Sequence, residues 1–293
     1  MVIGVENRIR ACFMISYGQL SGYLEIYLLQ YLCVGIGLFF FFYTEFMMVP
    51  RTDKVKFQWD NPNISKSYVE NELVNGTDCL LLSVFVSSFV VVWHCVFGKV
   101  SGRKISSTAH AGVDGGDNDI GGGRPKGISK EVHLLHISLL CLSLILTING
   151  ALTNALKLSI GNLRPDFLAR CQPIIQAASE PNKYYTLEAC KQANKAILYE
   201  GLKSTPSGHS SFISSSMGFL FFWQCYFVAG NNARHLWCPL LAFIVMVSRI
   251  TDHRHHWYDL IFGAFVGLST VFFCWKWIFT KSAKSLLPSP VGY

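Results

Sequence analysis

Charge is scarce in this sequence. Only 15% of the 293 residues are Asp, Glu, Lys or Arg, whereas 51% are hydrophobic and mean hydropathy is +0.33. A soluble domain of this length carries about 25% charged residues. The deficit excludes an ordinary water-soluble fold and confines the charges to loops. Metal- and nucleotide-binding signatures are missing too. There is no CxxC, no paired Cys/His spacing, no HExxH and no Gly-Lys-Ser/Thr phosphate loop. Of the ten cysteines, Cys33, Cys95, Cys141, Cys225, Cys238 and Cys274 sit in apolar runs and read as small packing residues. No small-residue cleavage site follows the first apolar run, which starts near Ile26. That run reads as a membrane helix and not as a removed signal peptide.

What is present is a series of apolar runs. A spanning helix needs about 20 such residues. Ile26–Tyr43, Leu80–Gly98, Leu134–Ala155, Ser210–Asn231 and Leu260–Thr280 qualify, the last with only Lys276 near its end. His235–Ser248 is uncharged but short, and crosses only if it continues past Arg249 toward Asp252. The expected fold is all-α, a polytopic membrane protein with six transmembrane helices. Between the second and third spans, about 99–133, a glycine-rich stretch reads as a flexible loop. The net charge of +7 suits anionic lipid or an acidic substrate, and the apolar runs make nucleic acid a poor partner.

Orientation follows from two weak signals. The six-span arrangement divides Lys and Arg almost evenly, 12 on the side of the termini and 13 opposite. Three of the 13 belong to the clusters described next. Two N-glycosylation sequons, at Asn63 and Asn75, share the first loop. Together these favour cytosolic termini, a cytosolic glycine-rich loop and a lumenal first loop.

Three polar clusters stand at the edges of spans, where ionisable residues are functional candidates. They are Lys157 to Arg164-Pro165, Pro206-Ser207-Gly208-His209, and Ser248-Arg249 followed by His255 and Asp259. Hydrolysis of a phosphate monoester needs fixed cations and free N–H donors. Lys157, Arg164 and Arg249 supply the charge, and arginine adds a planar fork for two oxygens. Ser207 and Gly208 open the fourth span, where helix N–H groups attract anions. His255 and Asp259, four apart, fit a nucleophile and the carboxylate that orients it. His209 is left to protonate the leaving group. The set needs no metal, and adjacent histidines around His253 and His256 face different directions on a helix.

This order and spacing resembles the type 2 phosphatidic acid phosphatase superfamily, which also holds vanadium haloperoxidases and glucose-6-phosphatase. The segments NISKSYVENELV, GNLRPDFLARC, YEGLKSTPSGHSSF and VSRITDHRHHWYDL are similar to fungal lipid phosphate phosphatases of Golgi membranes. The resemblance implies one membrane-embedded phosphatase domain over 1–293, with its catalytic core at about 134–280. It implies Mg-independent hydrolysis of phosphatidate, lysophosphatidate and diacylglycerol pyrophosphate through a phosphohistidine, with no cofactor. Lys157, Arg164, Ser207, Gly208 and Arg249 would bind phosphate, His209 would be the acid, His255 the nucleophile and Asp259 its orienter. The alternatives are a sphingoid-base phosphate phosphatase and a non-catalytic lipid-phosphate binding or transport protein.

Two further expectations follow. The first two clusters share one loop, so the third joins them only if His235–Ser248 crosses the membrane. In that same loop Cys171 and Cys190 lie well away from apolar runs, with Cys79 at a span edge as the one competitor; a bridge between Cys171 and Cys190 is expected in an oxidising lumen, the alternative being two free thiols.

Overall fold

The computed structural model describes residues 17–98, 130–173, 183–228 and 230–283. Most of the glycine-rich loop lies outside them. Among the described residues the chain is helical, apart from two isolated β-bridges, Phe57 with Tyr185 and Pro173 with Cys190. In order, the helices are α1 (Tyr17–Ile26), α2 (Leu28–Phe46), α3 (Gly76–Val96), α4 (Lys130–Ile160), α5 (Phe167–Cys171), α6 (Lys195–Glu200), α7 (Gly208–Phe227), α8 (Trp237–Thr251) and α9 (Trp257–Ala283). Within α3, Leu82–Val86 winds as a π-helix.

Five stretches are long and apolar enough to cross a bilayer: Leu28–Phe46, Gly76–Val96, Glu131–Ile160, Asn232–Thr251 and Trp257–Phe279. The protein is an integral membrane protein. The doubtful span resolves into a 3-10 turn, Asn232–His235, leading into α8; together they run 20 residues and pass Arg249. The remaining expected span is α7, also 20 residues long. It falls outside the five because Ser210, Ser211, Ser214, Ser215 and Ser216 dilute its hydropathy, so five spans, and not six, stand on length and apolarity. Those serines are buried, because α7 runs through the middle of the bundle and touches α3, α4, α8 and α9. α2 lies on the outside against α4 and exposes Leu28, Phe39, Phe42 and Phe46, as a lipid-facing helix does.

Small residues let α7 and α9 approach closely. α9 carries Gly263 and Gly267, one turn apart, over the backbone of α7. A Cβ on Gly263 would stand 2.5 Å from the Ser207 carbonyl, and one on Gly267 would run into the Ser211 carbonyl. The Ser210 hydroxyl crosses the seam to donate to the Leu260 carbonyl at 2.5 Å. This contact fixes the start of α7 beside the start of α9.

Beyond one end of the bundle, the segments 51–75, 161–173 and 183–206 form a polar cap with its own small core. Phe57, Ile64, Phe167, Cys171, Leu198 and Leu202 are buried there. Full burial of each such side chain contributes about 1.5–3 kcal/mol. Cys171 and Cys190 form the expected disulfide, with Cα atoms 4.7 Å apart.

Candidate active site

The three polar clusters meet under this cap. α4 delivers Lys157 in its last turn and stops at Gly161, whose φ of +65° suits glycine and ends the helix. A Cβ on Gly208 would stand 2.7 Å from Lys157 Nζ. A side chain there would push the ammonium of the first cluster aside from its place against the second.

Ser207 caps α7 by accepting from the Ser210 N–H at 3.3 Å. Its own N–H donates to the Asp259 carbonyl at 3.1 Å, so it is not available to an anion as the sequence suggested. The N–H groups of Gly208 and His209 open the helix in its place. His209 Nε2 donates to the Val74 carbonyl at 3.1 Å and lies 3.4 Å from Arg249 Nη1. Because both nitrogens are donors, that second approach is a contact and no hydrogen bond.

Arg249 is wholly buried near the end of α8. Its Nη1 pairs with Glu72 at 2.7 Å, its Nη2 with Asp252 at 2.5 Å, and its Nε donates to the Ser248 hydroxyl at 3.1 Å. Arg164 sits more openly. It pairs with Glu200 at 3.3 Å, and its buried Nε has no hydrogen-bond partner among the described residues. Glu200 also holds Lys203 at 2.7 Å. Burial pushes the Glu200 carboxyl up, but Arg164 and Lys203 outweigh it and keep the pKa below the usual range.

The turn between α8 and α9 carries the nucleophile candidate. His253 takes φ of +54°, a strained value for a non-glycine residue. The Arg249 carbonyl accepts from the N–H groups of Arg254 and His255 at 3.0 and 3.3 Å. His255 Nδ1 donates to the Ser204 carbonyl at 2.8 Å, which leaves Nε2 without a proton and with its lone pair free. Burial, then the positive charges of Arg164 and Lys157, hold the His255 pKa well below the ordinary value, so the ring is neutral.

Asp259 is brought close to His255 but makes no short bond to it. Its Oδ2 is 3.9 Å from Nδ1. The reason is local: α9 begins at Trp257, so His255 precedes the helix and the four-residue spacing does not stack the two side chains. Asp259 instead accepts from the His256 N–H at 2.9 Å, from the Ser204 hydroxyl at 2.6 Å and from the Thr205 hydroxyl. It thus holds Ser204, whose carbonyl orients His255.

Residues 138–283 match the family model described as the PAP2 superfamily. The chain is 50% identical to Lipid phosphate phosphatase 1 of Saccharomyces cerevisiae over 92% of its own length and 95% of that protein. It belongs to the PAP2 superfamily. Diacylglycerol pyrophosphate phosphatase 1 of the same yeast is 35% identical over 50% of this chain and 54% of that protein. Lipid phosphate phosphatase 2 of Arabidopsis thaliana is 35% identical over 52% of this chain and 54% of that protein. No solved structure matches.

The superfamily match contains all three clusters but omits the segment that supplies Glu72 and Val74. Sequence reasoning missed Glu72, Glu200, Lys203, Ser204, Asp252 and Arg254. Lys203 carried a signal, being a cation four residues before Ser207. Glu72 carried none, because 177 residues separate it from Arg249. Among the described residues no three His, Cys, Asp or Glu side chains are grouped to hold a metal ion.

Proposed function

We propose that this protein is a lipid phosphate phosphatase that removes phosphate from glycerolipid phosphates such as phosphatidate, lysophosphatidate and diacylglycerol pyrophosphate, through a phosphohistidine on His255. The observation that carries this reading is the His255 ring, neutral, with Nδ1 given to the Ser204 carbonyl and Nε2 free, beside Lys157 and Arg164. The names of the two yeast relatives support the substrate class.

Lys157, Arg164, Arg249 and the N–H groups at the start of α7 bind the phosphate oxygens. His255 Nε2 attacks phosphorus as the P–O bond to the lipid breaks. His209, in its protonated form, gives its proton to the departing oxygen. The negative charge of the bound phosphate, close to His209, favours the protonated ring. Water then attacks the phosphohistidine, His209 takes a proton from it, and inorganic phosphate leaves. Preorganised cations at the developing charge are the main source of rate, and acid catalysis adds about 10²–10⁴.

The lumenal side of an endomembrane such as the Golgi fits the site's location. Its cap holds a disulfide, which persists in oxidising compartments. Asn63 and Asn75 of the sequons are exposed on the chain that covers the site. The catalytic core is 134–280, with the cap segment 51–75 laid over it.

The test is phosphate release from a panel of lipid phosphates, including sphingoid-base phosphates, with excess EDTA. Glycerolipid phosphates should be hydrolysed with chelator present, and vanadate, a mimic of the five-coordinate transition state, should inhibit. A strict demand for added Mg²⁺, or turnover confined to sphingoid substrates, would overturn the reading.

A further inference from the structure

Glu72 lies far outside the stretch that matches the superfamily, yet it touches the buried arginine of the phosphate pocket. Its two carboxylate oxygens serve different cations. Oε2 is 2.7 Å from Arg249 Nη1, and Oε1 is 3.0 Å from Arg254 Nη2. Arg254 is itself fixed by Asp166 at 3.3 Å and by the Val69 carbonyl at 2.7 Å. The neighbours of Glu72 are tied down as well. The Leu73 N–H donates to Asp252 at 3.0 Å, and the Val74 carbonyl accepts from His209. The Ser67 carbonyl accepts from His253 Nδ1 at 3.1 Å. The guanidiniums of Arg170 and Arg254 each stand 4.8 Å from the ring centre of Tyr68. Residues 67–74 therefore form a strap that grips Arg249 and the turn 252–254 that follows it, together with His209 of the second cluster.

We propose that Glu72 is a positioning residue of the reaction, fixing the Arg249 guanidinium for phosphate and bringing the Val74 carbonyl to orient His209. Arg249 has five N–H donors. Glu72, Asp252 and Ser248 take three of them, one on each nitrogen, which locks the plane of the fork. Two N–H donors stay free for phosphate. A guanidinium held by two carboxylates loses little further freedom on binding, so the grip it offers is preorganised. Arg254 plays the part of an anchor: it holds Glu72 in place from the far side.

The proposal rests on the phosphatase reading, and its test separates the two. The probe is vanadate, followed both by inhibition and by thermal stabilisation of the full-length protein, the second needing no turnover. In Glu72→Gln the bridge loses its charge, and half-inhibition by vanadate should need about tenfold more, the scale of one charge-assisted hydrogen bond. kcat/KM for phosphatidate should fall by ten- to a hundredfold. Glu70→Gln, an exposed neighbour on the same strap, should leave both unchanged. If Glu72→Gln leaves vanadate affinity unaltered, the residue does not position Arg249. If it tightens vanadate, Glu72 is a competing anion and the proposal falls. Should Glu72→Gln fail to fold, hydrogen exchange in the wild-type protein decides. Amides of residues 67–74 should exchange no faster with vanadate bound; faster exchange would mean that the strap is expelled by the anion. Wild-type protein that stabilises with vanadate but turns over no lipid phosphate would overturn the phosphatase reading and leave the role of Glu72 in anion binding standing.

Discussion

The two arginines proposed to bind phosphate, Arg249 and Arg164, are held in different ways. Arg249 is wholly buried and pinned by Glu72 and Asp252 at 2.7 and 2.5 Å. Arg164 leaves 11% of its side chain exposed, has one carboxylate at 3.3 Å and keeps a free Nε. In both corners a carboxylate bridges to a second cation, Arg254 for Glu72 and Lys203 for Glu200. The difference lies in how much of the fork is already committed. Arg249 has a donor on each nitrogen committed, whereas Arg164 keeps its Nε and all but one of its other donors uncommitted to carboxylates.

The largest effect should come from a change that touches neither corner. His255→Ala removes the attacking nitrogen and is expected to abolish turnover, while inorganic phosphate still binds between the two arginines. Phosphate release near the wild-type rate would remove the nucleophile from the mechanism. Next, lysine in place of each arginine should split the corners. Arg249→Lys keeps the charge but loses the planar fork whose separate nitrogens reach Glu72, Asp252 and Ser248, and a buried carboxylate left without its partner costs roughly 3–5 kcal/mol. We expect both activity and thermal stability to collapse. Arg164→Lys retains a cation at a partly open site and should lose only about ten- to a hundredfold in kcat/KM, with melting nearly unchanged. Equal behaviour of the two variants would erase the distinction. The smallest catalytic effect should follow from replacing Cys171 and Cys190 by serine. The bridge closes a loop with a sequence separation of 19, worth about 3 kcal/mol in the chain-entropy picture. Denaturation should show that loss. kcat should fall only a few-fold, through loosening of the cap near Arg164 and not near Arg249.

Much of this was legible in the sequence because long apolar runs and clustered charges at their ends are local signals. Lys157, Gly208 and Arg249 reach one pocket because three different helices end or begin there. The bridge between Cys171 and Cys190 was legible from position, as both lie off the apolar runs in one polar loop. Asp259 was harder. Four-residue spacing implies a shared helical face, but the helix starts after His255, and a serine carbonyl stands where the carboxylate was expected. Glu72 was out of reach altogether. One acidic residue in a polar segment, 51–75, that carries as many basic as acidic side chains has no periodicity or spacing to mark it, and only folding the cap over the bundle reveals its partner.

The glycines of α9 have a mechanical meaning. Gly263 meets the Ser207 carbonyl and Gly267 meets the Ser211 carbonyl, each pair one helical turn from the next. The two helices engage like a toothed rack, and the smallest slip to another matching notch is a full turn, about 5.4 Å. Such a slip would carry the acid on α7 away from the turn that bears His255 by more than the reach of any proton transfer. The seam therefore works as a gauge: it starts at Ser207, in the site itself, and sets the distance between the two halves of the site through the packing of two helix backbones.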